Sequence, residues 1–357
     1  MKIVRADCYA YALPLRPPLS LGEQSVTERE GGLLRLETAD GRVGWGDAAP
    51  LPGFSSETRA DALSALAESV RSLPGMTGAV EGGGLPERTV APPRPPSAQF
   101  AVEGALVELG GRGDGRALGE ECRTRVSLNA LVPADQDELR VMGRRLREEG
   151  FPAVKLKVGR RSVDRDAART RTLAAALGPE VELRLDANRA WSVAEAVAFA
   201  DAVADVPLAY IEEPLAEPER LGAFTARTGV PVALDETTRE RSPDEMPTQA
   251  PVTAVVLKPT LLGGIAASRR WVEWARSIGA TPVVSSSYES GVGTRLLVRL
   301  AAAWSAAPAG LSAHMRLADD ILRPRLALDG PTVEVEQAQA GRVDVSQLSL
   351  VDSATHP

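Results

Sequence analysis

Histidine is nearly missing from this chain: His314 and His356 are the only two in 357 residues. Zinc hydrolases, serine triads and histidine-based acid–base schemes all place imidazole at the reacting atoms. Whatever chemistry the chain performs therefore falls to carboxylates and lysines. His356 is expected in a frayed tail, and His314 in a structural or supporting position. Cysteine is equally scarce. Cys8 and Cys122 lie far apart in sequence, which excludes a disulfide scaffold and fits reduced thiols in a reducing compartment. No apolar run approaches the roughly 18 residues that span a bilayer. The start, Met1-Lys2-Ile3-Val4-Arg5-Ala6-Asp7, lacks the apolar core of a secretory signal. A cytoplasmic location without a membrane partner is expected. No basic tract is present and the net charge is -7, which argues against nucleic acid as a partner.

What is present is ordinary globular material, with 44% hydrophobic and 25% charged residues. At roughly 150 residues per domain, the length suggests about two domains. The first 50 residues read as antiparallel strands, with a hairpin turn at Ala39-Asp40-Gly41. Helical periodicity follows over 57–72. A Gly- and Pro-rich connection over 75–96 is expected to be exposed and poorly ordered. A second amphipathic helix starts at Ser97, with Phe100, Val102, Ala105, Leu106 and Leu109 as its apolar set.

From Arg123 short strands alternate with longer helices. Strands are expected near 125–131, 153–158, 181–186, 208–213, 231–235, 254–258, 281–286 and 309–313. About eight such βα units favour a TIM-type barrel over an open sheet. Beyond about 320 the tail is expected to return to the N-terminal region, with a strand at Val333-Glu334-Val335.

Charges stand at the ends of five of these strands. Asp186, Glu212 and Asp235 each close an apolar run, about one βα unit apart, and Lys157 and Lys258 do the same on either side. In a parallel barrel all strand ends open on one face, so the five side chains converge. A single acid after a strand would be an ordinary solvated loop residue, but three in succession suit a hard divalent cation such as Mg²⁺. Lys155 and Lys157 share one strand face. That pair alone leaves open whether the lysines or Leu156 point inward; Lys258, half-way around the ring, favours the lysines. Clustered positive charge and partial burial are expected to lower a lysine pKa toward the range of a general base. Metal plus lysine suggests abstraction of a proton α to a carboxylate, with the enediolate held by the cation.

The motifs carry a resemblance. Gly44-Trp45-Gly46-Asp47-Ala48-Ala49-Pro50-Leu51-Pro52-Gly53-Phe54-Ser55, Lys155-Leu156-Lys157, Leu183-Arg184-Leu185-Asp186-Ala187-Asn188-Arg189-Ala190-Trp191, Glu212-Glu213-Pro214, Asp235-Glu236, Leu257-Lys258-Pro259-Thr260 and Ser285-Ser286-Ser287-Tyr288-Glu289-Ser290 resemble the enolase superfamily. Within it they are most similar to the o-succinylbenzoate synthase family of the muconate-lactonizing subgroup. Asp47 stands where Glu is usual, a change expected to matter little unless the longer carboxylate makes a bond.

The resemblance implies a modified TIM barrel, (β/α)7β, over 116–320, and an α+β capping domain from 1–115 with the tail 321–357. It implies Mg²⁺ on Asp186, Glu212 and Asp235, Lys157 as the base and returning acid, and Lys258 as electrostatic partner. Lys155, Arg184, Asn188 and Glu236 would support these groups, and Ser285, Ser287 and Gly310 would contact the succinyl arm of a small carboxylate substrate. A mobile loop near Leu15–Ser25 would close the site. A tail carboxylate is expected on the amides of Gly291-Val292-Gly293-Thr294. N-succinylamino acid racemase uses the same lysines and is the nearest rival, whereas a silent scaffold would have lost at least one charge. Homo-oligomerisation is left open.

Overall fold

The computed structural model describes residues 2–356 apart from 22–23, 78–93, 111–117, 119–121, 134 and 249. Most of the expected Gly/Pro-rich connection lies outside the described residues. The chain opens with β1 (Ile3–Leu21), β2 (Gln24–Thr38) and β3 (Val43–Ala48), then α1 (Arg59–Ser72) and α2 (Pro96–Leu109). There follow β4 (Arg125–Ser127), β5 (Asn129–Val132), α3 (Leu139–Glu148), β6 (Ala153–Lys157), α4 (Val163–Leu177), β7 (Glu182–Asp186) and α5 (Val193–Ala202). Next come β8 (Leu208–Glu212), α6 (Leu221–Thr228), β9 (Val232–Leu234), α7 (Thr237–Glu240), β10 (Ala254–Leu257), α8 (Pro259–Leu262), α9 (Ile265–Ser277), β11 (Thr281–Val284) and α10 (Gly291–Trp304). The end holds β12 (Leu322–Arg323), β13 (Thr332–Glu334), α11 (Val335–Gln339), β14 (Arg342–Val343) and β15 (Ser349–Thr355).

An antiparallel sheet in the order β15-β1-β2-β3 forms the cap. The β2–β3 turn falls where its composition puts it, with the Thr38 amide donating to the Arg42 carbonyl at 3.0 Å. Thr58 and Asp61 form a reciprocal capping box that starts α1. That helix lays Ala62, Leu66 and Val70 on Leu34 and Leu36. The tail does return to this sheet, but through β15 rather than Val333-Glu334-Val335: β13 pairs with β4 instead. His356 is not frayed, since its amide donates to the Val4 carbonyl at 2.8 Å.

Helix α2 is not amphipathic, because every residue from Ser97 to Leu109 is buried. It lies between the cap sheet and the barrel, so no face is left to water. Gly44 and Gly46 on β3 make this possible, since a Cβ at either would strike the carbonyls of Ala105 and Ala101.

Seven parallel strands run in the order β11-β10-β9-β8-β7-β6-β5. They are short Val/Leu/Ala runs, as strands covered on both faces require. The first expected strand divides at Leu128 into β4, outside the barrel, and β5, inside it. The eighth shrinks to two bridging residues: Ala309 pairs with Leu128 and Gly310 with Ser285, which closes the ring. Outside it, Val154, Leu156, Leu183, Leu185 and Ile211 join one continuous core with the surrounding helices. Among the described residues no helix is long and apolar enough to cross a membrane. Cys8 and Cys122 form no disulfide, and burial pushes the Cys8 thiol up to about 12.

Candidate active site

Strand register brings the charged ends to one level. Lys157 pairs with Asp186 across β6 and β7, and Asp186 with Glu212 across β7 and β8. Asp235 directly follows β9, and Lys258 directly follows β10. One carboxylate oxygen from each of Asp186, Glu212 and Asp235 lies within 4.8 Å of the other two, and all three side chains are buried. Leu156 points out into the core and the flanking lysines point in, which resolves the ambiguity of that strand.

Each lysine is tied to the triad. Lys155 Nζ donates to Asp186 and Glu212, both at 3.0 Å. Lys157 Nζ donates to Asp186 at 2.5 Å and to Asn188 Oδ1 at 2.8 Å. Lys258 Nζ donates to Asp235 at 2.5 Å. Burial pulls Lys155 and Lys258 toward lower pKa, but the facing carboxylates outweigh it and both amines end above their ordinary value. The expected depression is therefore not met at these two lysines, because acids rather than other amines surround them. Burial also raises Glu212, to about 7, with Asp186 and Asp235 adding to it against the pull of Lys155. Asp186 moves the opposite way: burial raises it, but Lys157 and Lys155 together hold it well below the usual carboxylate range.

The donor set fits a divalent metal. Three buried carboxylates supply hard oxygen ligands, and Oε2 of Glu236, in the electrostatic reach of Asp235 and Asp186, is buried without a hydrogen-bond partner. Asn188 sits in the left-handed region at φ 45°, which Asn tolerates better than most residues, and its Nδ2 donates to Glu236 at 3.0 Å. Glu236 thus hydrogen-bonds Asn188, with the Lys258 charge within electrostatic reach.

Above the triad is a cavity lined by Lys155, Lys157, Asn188, Lys258, Ser285, Ser287 and Gly310. Arg184 does not line it. Arg184 lies on the inner face of β7 one layer below Asp186, donating to the Pro308 carbonyl at 2.7 Å and sitting 5.3 Å from the centre of the Tyr210 ring.

The cap contributes Leu19, Leu51 and Phe54. Of the expected loop over Leu15–Ser25, residues 22–23 lie outside the described residues and the rest belongs to β1 and β2, with Leu19 paired to Val26. Phe54 is fastened from the barrel side, since Arg239 donates to its carbonyl at 2.7 Å and stacks 5.5 Å from its ring centre.

The amides opening α10 are not an anion site. Asp47 accepts from the Ser290 amide and hydroxyl, both at 2.8 Å, Asp320 accepts from the Gly291 amide at 2.8 Å, and Ser290 Oγ accepts from Val292. Asp47, with its shorter side chain, does make structural bonds, and Tyr11 donates to it as well at 2.8 Å. His314 is buried between Thr294 and Asp320 and serves that same joint.

Two family models match the chain: "Enolase C-terminal domain-like" over residues 138–341 and "MenC, N-terminal domain" over 3–109. The o-succinylbenzoate synthase of Proteus mirabilis is 35% identical, covering 83% of this chain and 85% of that protein. That of Pectobacterium atrosepticum is 36% identical, covering 82% and 84%. The chain belongs to the o-succinylbenzoate synthase family of the enolase superfamily. The fold agrees. The muconate lactonizing enzyme of Mucobacterium Smegmatis superposes with a TM-score of 0.81 at 24% identity, covering 99% of this chain and 100% of that one. The L-Ala-D/L-Glu epimerase of Bacillus subtilis gives 0.79 at 22%, covering 99% and 100%. As a member of the o-succinylbenzoate synthase family, the protein is an enzyme of the lyase class with a small-molecule substrate.

Sequence reasoning missed two residues of this site. Glu213 follows Glu212 and so faces away from it. Buried, with φ 38°, Glu213 accepts from the amides of Asp235 and Thr237 at 3.0 and 2.8 Å and from Arg189 at 3.0 Å, pinning the backbone that presents Asp235. Its signal was alternation, since a second acid after Glu212 cannot face the same cleft. The other is Arg160, three residues beyond Lys157, which lines the cavity mouth.

Proposed function

We propose that this protein dehydrates 2-succinyl-6-hydroxy-2,4-cyclohexadiene-1-carboxylate to 2-succinylbenzoate, as a cytoplasmic enzyme of menaquinone biosynthesis. One observation carries the reading: Lys157 and Lys258, four strands apart, line a single cavity above three buried carboxylates. Names of curated relatives at 35% and 36% identity point to the same reaction. In this reading residues 116–320 act as the catalytic barrel and 1–115 with 321–357 as its cap.

Asp186, Glu212 and Asp235 would hold Mg²⁺, which supplies positive charge against the substrate carboxylate and so acidifies the neighbouring carbon. Lys157, as the free amine, takes that α-proton, and the C–H electron pair passes into the carboxylate as an enediolate. Lys258, as an ammonium on the other wall, stabilises the developing negative charge. The pair then returns to the ring, the C–O bond to the hydroxyl breaks, and the Lys157 ammonium gives its proton to the leaving group. Water departs and the ring becomes aromatic. Because one amine takes the proton and returns it, hydrogen and hydroxyl leave from the same face. Asn188 Oδ1 orients the Lys157 Nζ, and Lys155 fixes Asp186 and Glu212 from beneath. Leu19, Leu51 and Phe54 roof the cavity with apolar surface against the carbocycle.

The test is direct. Purified protein with Mg²⁺ and the cyclohexadiene acid should generate aromatic ultraviolet absorbance, with N-succinylamino acids assayed in parallel. Racemisation of those amino acids without dehydration would overturn the assignment in favour of the racemase.

A further inference from the structure

Charge accounting in the cavity leaves one cation over. Among the described residues lining it, four are cationic: Lys155, Lys157, Lys258 and Arg160. The three lysines all donate to the carboxylate triad. Arg160, carried on the turn after β6, has no hydrogen bond or ion pair among the described residues and is exposed. An arginine so placed offers a planar fork of donors for a carboxylate.

The substrate proposed above carries two carboxylates. One belongs to the reacting ring and must face the triad; the other ends the succinyl arm. The serine run cannot donate freely to it. Ser285 and Ser286 hydroxyls both donate to the Gly310 carbonyl at 3.2 Å, and the Ser287 hydroxyl donates to Glu289 at 2.7 Å. The amides of this segment are also engaged, Ser285 to Leu257, Ser286 to Gly310 and Ser287 to Glu289. Tyr288 and Ser312 add only neutral hydroxyls to the lining. The arm's charge therefore has one full counter-charge within reach of the cavity.

We infer that Arg160 binds the distal carboxylate of the succinyl arm and sets the preference for an anionic tail. The inference rests on the synthase reading. It gives Arg160 a role separate from the chemistry, as a residue that touches substrate far from the proton-transfer atoms.

The experiment compares wild type, Arg160→Met and Arg160→Lys by calorimetric titration, in the presence of Mg²⁺. Two probes are used: 2-succinylbenzoate, and 2-butyrylbenzoate, in which a methyl replaces the distal carboxylate. Loss of a charge-assisted bond should weaken 2-succinylbenzoate by about 10- to 100-fold in Arg160→Met, with partial recovery in Arg160→Lys. The affinity for 2-butyrylbenzoate should change less than about twofold, because that probe never made the bond. In turnover the same variant should raise KM for the dianionic substrate and leave kcat nearly intact. Equal losses for both probes, or no loss for either, would overturn the assignment. Failure of wild type to bind 2-succinylbenzoate at all would instead overturn the synthase reading and the inference with it.

Discussion

Replacing Asp47 with Asn should stabilise the protein at neutral pH and change its response to acid. Asp47 is buried at the joint between β3 and α10, where it accepts from Tyr11 and twice from Ser290. These bonds favour its charged form, but burial dominates and pushes its pKa up to about 6. An unfolded Asp titrates near about 3.9. Because the folded value is the higher one, the native state binds the proton more tightly. The associated stability is fully present below about pH 4 and is lost as pH rises through about 6. Roughly two pKa units correspond to about 3 kcal/mol of strain in the charged form at pH 7, as an upper bound.

An Asn of the same shape escapes that strain, and its carbonyl can still accept from Ser290 while Tyr11 turns to accept from the amide. The assay is urea unfolding of wild type and Asp47→Asn at closely spaced pH between 4 and 8. The difference in stability should grow in favour of Asn across pH 4 to 6 and level off above it. A difference that stays flat, or that grows below pH 4, would refute the reasoning. Asp47→Ala should behave quite differently, since it strands Tyr11 Oη and the Ser290 amide; a loss of about 2–5 kcal/mol is expected.

Three other outcomes follow from the site. Lys157→Ala should lower kcat by about 10²–10⁴ or more without unfolding, because Lys155 still holds Asp186; activity near wild type would remove Lys157 as the base. Asp235→Asn should weaken Mg²⁺ by at least about tenfold by calorimetric titration, and an unchanged titration would count against its ligand role. Gly310→Ala should cut kcat/KM while leaving Mg²⁺ affinity alone, because the new Cβ would stand 2.8 Å from Ser285 Oγ and 3.4 Å from Asn129 Oδ1 on the cavity wall. Unchanged kinetics in that variant would show that the wall yields.

Strand ends were the legible part of this chain. Charges that close successive apolar runs of a parallel barrel open on one face, and Lys157, Asp186, Glu212, Asp235 and Lys258 meet there. Helix α5 is equally plain, since the Ser192–Glu195 spacing in the sequence is that of a capping box and the two residues form one. Other features depend on partners distant in sequence. Nothing local distinguishes β4 from β5; they separate because β13 claims the residues before Leu128 and β6 those after it. Ala309 and Gly310 serve as a strand only because Leu128 and Ser285 flank them. The glycines before Thr294 resemble an anion nest until Asp320 is seen to occupy the Gly291 amide and Asp47 the Ser290 amide beside it, from opposite ends of the chain. The pKa shifts of Lys155 and Lys258 were misjudged for the same reason: the amines were counted as each other's neighbours, whereas register sets these two against carboxylates.

The most direct test is a crystal structure of the protein with Mg²⁺ and 2-succinylbenzoate. One ion should sit about 2.1 Å from an oxygen of each of Asp186, Glu212 and Asp235, with the ring carboxylate beside it and the ring between Lys157 and Lys258. An ion bound elsewhere, or a product lying with both lysines on one side, would contradict the account.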